Sequence, residues 1–262
     1  MSSFDEYRDR YENFAFERHD GILEIRLHSG DGPLRWCESA HRELGPALAD
    51  IGRDAANRVV ILTGTGDTFL TELDFETRAS TPAQWDKVYR EGLDLMKSLL
   101  DIPVPVIGVI NGPVSEHAEI ALLSDIVLAA DDAYIQDAEH FPAGVVPGDG
   151  VHVVWPLLLG LNRGRYFLLT GQRLSAHEAQ AAGVVNEVLP RPALMPRARD
   201  IARALAAQTD LTLRYTRTCL TMMVKDTLSR YLPYGLALES IAAVDRRMGF
   251  AASGDLDPVV AP

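Results

Sequence analysis

NRVVILTGTGDTF, residues 57–69, decides how the rest of the chain is read. Val59 to Thr63 form a continuous apolar, largely β-branched run, and Gly64 and Gly66 end it. A run with no polar alternation suits a strand buried on both faces, as in a sheet covered by helices. VPVIGVING (104–112) repeats the pattern and stops at Asn111-Gly112-Pro113, and DIVLAAD (125–131) is a third such strand. GILEIRLHS (21–29) alternates apolar and polar residues and predicts a half-buried strand.

Helical patterns lie between these strands. Ser39 is the expected N-cap of a helix running through His41, Leu44, Leu48 and Ile51. Residues 82–101 open on Pro82 and carry Val88, Leu95 and Leu99 on one side. A Gly/Pro-bearing loop, AEHFPAGVVPGDG (138–150), follows the third strand. Segments 162–170, 175–182 and 192–208 predict helices. Leu211 to Met248 predicts helix broken in two by Pro233 and Gly235. Strands alternating with helices and then an all-helical end define an α/β core with a C-terminal helical element. The composition shift at Pro190-Arg191-Pro192 divides the chain into 1–191 and 192–262, with ASGDLDPVVAP (252–262) as a loose tail.

Composition narrows the function. The chain has 262 residues, enough for a sizeable core, and a formal net charge of −12. So acidic a surface disfavours nucleic acid and anionic membrane as partners. The first twenty residues mix both charges without an apolar stretch, so no secretory signal is expected and a cytoplasmic location is. Cys37 and Cys219 form no ligand motif, which fits a reducing compartment and argues against a structural zinc.

Four segments in order resemble the crotonase (enoyl-CoA hydratase/isomerase) superfamily: VVILTGTGDTF, PVPVIGVING, SDIVLAADDAYIQDAEHFPAGVVPGDG and GRYFLLTGQRLSAHEAQAAGVVNEVL. The resemblance implies a ββα spiral core (1–191) and a C-terminal helical trimerisation region (192–262), assembled as a homotrimer or a dimer of trimers. It also implies enolate stabilisation by two peptide N–H groups. The sequence departs from the family at both places that supply them. Phe69-Leu70-Thr71-Glu72-Leu73-Asp74 has Glu where small residues are usual, and Asn111 to Glu119 (NGPVSEHAE) lacks the triple glycine. An ordinary acyl-CoA oxyanion hole is not expected.

Within the superfamily the chain is most similar to β-diketone hydrolases of the 6-oxocamphor hydrolase type. That likeness rests on Leu34-Arg35-Trp36, Ser39-Ala40-His41, His117, His140-Phe141-Pro142, Pro147-Gly148-Asp149-Gly150, His152 to Pro156 and Glu239. It implies retro-Claisen cleavage of a small cyclic 1,3-diketone, with no coenzyme A, metal or redox cofactor.

In that reaction His140 is expected to act as general base, with Glu239 orienting its imidazole. Asp149 is expected to protonate the enolate, its pKa raised by a partly apolar pocket, although Asp-Gly is also a common turn. His117 and Trp36 are expected to hold the carbonyl oxygen, and core packing is the other reading of Trp36. His41 either shares their face or shores up Trp36. His19, His28, His152 and His177 read as structural, and Trp155 as core. Two alternatives stay open: an enoyl-CoA hydratase/isomerase using Glu119 and Glu139, and an inactive oligomeric scaffold.

Overall fold

Val59–Thr63 is a strand with every residue buried, and so is Val106–Ile110, which is why both read as unbroken apolar runs. The computed structural model describes residues 3–75, 79 and 81–249, so the expected tail at 252–262 lies outside the described residues. In chain order the elements are α1 (Phe4–Tyr7), β1 (Phe14–His19), β2 (Ile22–Leu27), β3 (Arg35–Trp36), α2 (Glu38–Arg53), β4 (Val59–Thr63), β5 (Glu72–Leu73) and α3 (Pro82–Asp101). There follow β6 (Val106–Ile110), α4 (Glu119–Leu122), β7 (Ile126–Ala130), β8 (Tyr134–Ile135), a 3₁₀ turn (Phe141–Ala143), α5 (Val151–Leu159) and α6 (Leu161–Thr170). The last are β9 (Leu174–Ser175), α7 (Ala176–Ala181), β10 (Glu187–Leu189), α8 (Arg191–Ala206) and α9 (Asp210–Gly249).

The main sheet runs β1-β2-β4-β6-β7-β10, antiparallel between β1 and β2 and parallel beyond. After β2, β4, β6 and β7 the chain adds a short extended piece before its next helix. These pieces pair beside the main sheet, β3 with β5, Leu70 with Val114 and Val114 with Ile135. Strand, short strand and helix recur in turn, which is the ββα spiral of the crotonase fold. Helix α8 lies against β2, β4, β6 and β7 and buries Leu194, Ala198 and Ala202. Among the described residues, no helix is long and apolar enough to cross a membrane.

Several local expectations change. Cys37, not Ser39, is the N-cap of α2, and the Ser39 hydroxyl instead accepts a hydrogen bond from Asn13 Nδ2 at 2.8 Å. The stretch 151–159, unassigned from sequence, is α5, which contains Pro156. Pro233 and Gly235 do not break the last helix, which is continuous over 40 residues. Gly235 serves a close approach instead: a Cβ there would lie 2.2 Å from His152 Cε1 and 2.4 Å from Gly148 O. Gly148 is equally constrained, its Cβ falling 2.3 Å from Gly235 O. Two glycines thus let the 138–150 loop press its backbone on α9, one turn before Glu239.

Candidate active site

The side chains with reactive chemistry gather where the parallel strands end. Asn111, closing β6, accepts from Gly64 N at 3.0 Å and donates to Gly66 O and Thr68 O at 3.0 and 3.1 Å. This ties the β4 and β6 exits together and fixes the turn that carries His117. The loop beyond β8 supplies Asp137, Glu139, His140 and Asp149, β3 supplies Trp36, and α9 supplies Glu239.

Two histidines form the centre. His140 is 2% exposed, with Nδ1 2.6 Å from Asp137 Oδ1 and Nε2 3.3 Å from Asp149 Oδ1. His117 Nδ1 lies 3.0 Å from Glu119 Oε1 and 3.3 Å from Asp149 Oδ2, and its Nε2 lies 3.1 Å from Glu139 Oε2. Asp149 therefore bridges the two rings with its two oxygens. The Trp36 and His117 rings are 4.5 Å apart. His41 stands on another side of Trp36 at 5.8 Å and is held by Glu91 Oε2, 2.7 Å from its Nδ1. It packs edge-on to Trp36.

The turn that holds the family's peptide N–H donors is closed. Ser115 N and Glu116 N both donate to Leu70 O, at 3.0 and 3.3 Å. His117 N donates to Glu139 Oε1 at 2.8 Å, so Glu139 grips both the backbone and the ring of His117. His117 adopts φ +46°, a left-handed conformation rare for a non-glycine residue, and this double grip holds it there. Three consecutive N–H groups are engaged within the chain and are not offered to a thioester oxygen.

Charge in the cluster is set by burial and proximity together. Desolvation disfavours the charged form of His117, but Glu139 and Glu119 outweigh it and raise the pKa well above the usual imidazole value. His140 is raised likewise against its burial, by Asp149, Glu139 and the Asp137 hydrogen bond. Burial pushes Asp149 up, yet the charge of His140 and hydrogen bonds from both histidines hold it well below the usual carboxylate range. The expectation that an apolar pocket raises Asp149 is therefore overturned. Burial raises Glu116, and burial together with the charge of Asp149 raises Glu119 and Glu139. Burial, then Asp149, pushes Glu239 to about 8.

Glu239 differs from expectation in its partner. Among the described residues no hydrogen bond joins it to His140; the carboxylate on His140 Nδ1 is that of Asp137. Glu239 instead sits against the Gly148 peptide and in the field of Asp149, protonated at neutral pH. Asp137 was missed in sequence, although its place three residues before His140, just past a strand, is a usable signal. Trp155 is core, as expected, with its ring 4.0 Å from that of Phe167. Two sets of donor atoms, His117–Glu119–Asp149 and Asp137–Glu139–His140, each lie within 4.8 Å of one another, a spacing that admits a cation.

Residues 17–252 match the sequence profile of the enoyl-CoA hydratase/isomerase family, and the chain belongs to that family. One solved relative is ABDH, a β-diketone hydrolase of the cyanobacterium Anabaena sp. PCC 7120, bound to (S)-3-oxocyclohexyl acetic acid. It is 50% identical, with TM-score 0.91 over 92% of this chain and 98% of its own. An enoyl-CoA hydratase/isomerase of Mycobacterium paratuberculosis is 26% identical, with TM-score 0.84 over 90% and 95% of the two chains. YngF of Bacillus subtilis, which carries the enoyl-CoA hydratase/isomerase name, is 33% identical over 223 residues, 80% of this chain and 83% of its own.

Proposed function

We propose that the protein hydrolyses a C–C bond of a cyclic 1,3-diketone by a retro-Claisen reaction, giving a keto acid. The observation that carries this reading is the closed turn at 115–117: its peptide N–H groups are engaged within the chain, and the His117 side chain it carries shares Asp149 with the buried His140. The likeness to ABDH supports the same substrate class, and the ligand of that structure points to a ring opened into an oxocycloalkyl acetic acid.

The side chains can carry the reaction as one proton cycle. At rest the His140–Asp149 pair holds its single proton on His140. Transfer across the 3.3 Å contact yields neutral imidazole and carboxylic acid with no change in net charge. An apolar diketone that displaces water from the site favours this uncharged form, because the ion pair loses solvation. His140 then takes a proton from water as its oxygen adds to one carbonyl. Trp36 and His117 hold that carbonyl oxygen, which replaces a carboxylate contact on the His117 ring. The C–C bond breaks to a carboxylic acid and an enolate. Asp149 protonates the enolate carbon, and the pair returns to its starting charges. Glu239, neutral and buried, keeps further negative charge away from Asp149. The cycle uses no coenzyme A, metal or redox cofactor.

Tyr215, Leu220, Met223, Tyr234 and Ile241 expose apolar side chains along α9. These surfaces suit a homotrimer or a dimer of trimers. The oligomerisation role expected of 192–262 falls to α9, because α8 is occupied by the sheet. A cytoplasmic location accompanies this reading.

The names of relatives such as YngF favour enoyl-CoA hydration as the second reading. Against it, Glu119 and Glu139 face the two nitrogens of His117 rather than an open space between them. An inactive scaffold has no use for four buried carboxylates, Glu116, Glu119, Asp137 and Glu239, and two half-buried ones, Glu139 and Asp149, packed around two histidines. The discriminating assay offers a panel of cyclic 1,3-diketones and, separately, crotonyl-CoA. Loss of the diketone ultraviolet band without hydration of crotonyl-CoA is expected; the converse overturns the proposal.

A further inference from the structure

We propose that Asp137 is the positioning residue of the reaction: its carboxylate keeps the neutral-imidazole proton of His140 on Nδ1 and turns Nε2 toward Asp149. The inference rests on the diketone reaction above for its kinetic consequence, but not for its geometry. Asp137 Oδ1 is 2.6 Å from His140 Nδ1, the shortest contact in the cluster, and both side chains are 3% exposed. The segment carrying Asp137 is clamped on both sides: Gln136 N donates to Val114 O and Ala138 N to Ser115 O, each at 3.0 Å. The carboxylate is therefore held in place by the short-strand layer, independently of the histidine it meets.

Its hydrogen bonding does not resemble that of a structural carboxylate in the same molecule. Asp54, 6% exposed, accepts from Tyr7 Oη, Arg18 Nη1 and Ala56 N, so both of its oxygens are satisfied. Among the described residues Asp137 has one hydrogen-bond partner, His140, and its Oδ2 is buried with none. Burying a carboxylate with half of its acceptor capacity unused is unfavourable. Such an arrangement persists where the single contact has a use. The use follows from imidazole chemistry: the hydrogen bond made by one ring nitrogen decides which tautomer the ring adopts. An acceptor on Nδ1 leaves Nε2 as the atom that exchanges a proton with Asp149, which is 3.3 Å away.

The test uses the full chain and Asp137→Asn. The amide can offer its NH₂ to Nδ1 and so permit the opposite tautomer. We expect kcat to fall about 10²–10⁴-fold, the scale of losing correctly placed acid–base catalysis, with KM changed less than about threefold. ¹⁵N NMR of ligand-free protein, brought to a pH at which His140 is neutral, gives the readout that packing alone would not move. Wild type should carry the proton on Nδ1, and Asp137→Asn should move it partly or wholly to Nε2. A wild-type His140 protonated on Nε2 overturns the proposal without reference to any variant. So does a folded Asp137→Asn enzyme with unaltered kcat. Absence of diketone turnover in wild type, with both spectra as expected, would overturn the reaction and uphold the pairing.

Discussion

Glu239→Gln isolates a carboxyl that burial displaces strongly. Burial, and then the charge of Asp149, moves Glu239 from 4.5 to about 8. At about 1.4 kcal/mol per pKa unit, that displacement is on the order of 5 kcal/mol between its neutral and ionised forms. The folded protein keeps a proton that the unfolded chain releases, so this stabilisation is full below about pH 4.5 and is lost as pH rises through about 8. Gln keeps the size of the side chain and does not titrate. Wild-type stability relative to Glu239→Gln should therefore fall by about 1.4 kcal/mol per pH unit between about pH 5.5 and 7.5, and level off above about pH 9. Urea unfolding at one-unit pH intervals, with m-values compared to confirm the same transition, measures the difference directly. Parallel stability curves for the two proteins would refute a protonated, buried Glu239 and, with it, the neutral role assigned to that residue.

Three further outcomes follow from the same site. His140→Ala should lose about 10²–10⁴-fold in kcat while its circular dichroism stays native, and retention of more than half the activity would remove His140 from the mechanism. Exhaustive EDTA dialysis should leave diketone turnover intact and acyl-CoA should not compete; activity restored only by a divalent ion, or tight coenzyme A binding, contradicts the reaction as written. Asp149→Asn should turn over slowly and, with a prochiral diketone in D₂O, give a mixture of deuterated epimers where wild type gives one. A single epimer from the slow variant would assign the proton to another group.

Much of the fold is written in the chain because burial on both faces leaves no room for polar residues. Val59–Thr63 and Val106–Ile110 are legible for that reason, and 82–101 because Pro82 opens it and Leu95 and Leu99 recur on its buried face. Pro233 misleads because its usual effect is local, whereas the helix around it is held by tertiary contacts through Gly235. Trp36, His41, His117, His140, Asp149 and Glu239 are legible through resemblance and lie together or in contact. Their protonation was not legible. Asp149 is held ionised by two histidines arriving from separate segments, and no spacing in the sequence encodes that convergence. Asp137 escaped for a related reason: a three-residue separation within a loop is a contact only if the loop bends back, which the 3₁₀ turn after His140 and the clamp at Val114 and Ser115 bring about.

The most direct measurement of the central claim is isotopic. A cyclic 1,3-diketone is incubated with the enzyme in H₂¹⁸O, and the product is examined by mass spectrometry. Retro-Claisen hydrolysis predicts a ring-opened keto acid formed by addition of one water, with one heavy oxygen in its new carboxylate. A diketone that returns unopened, from a preparation that hydrates an enoyl-CoA, would contradict the account.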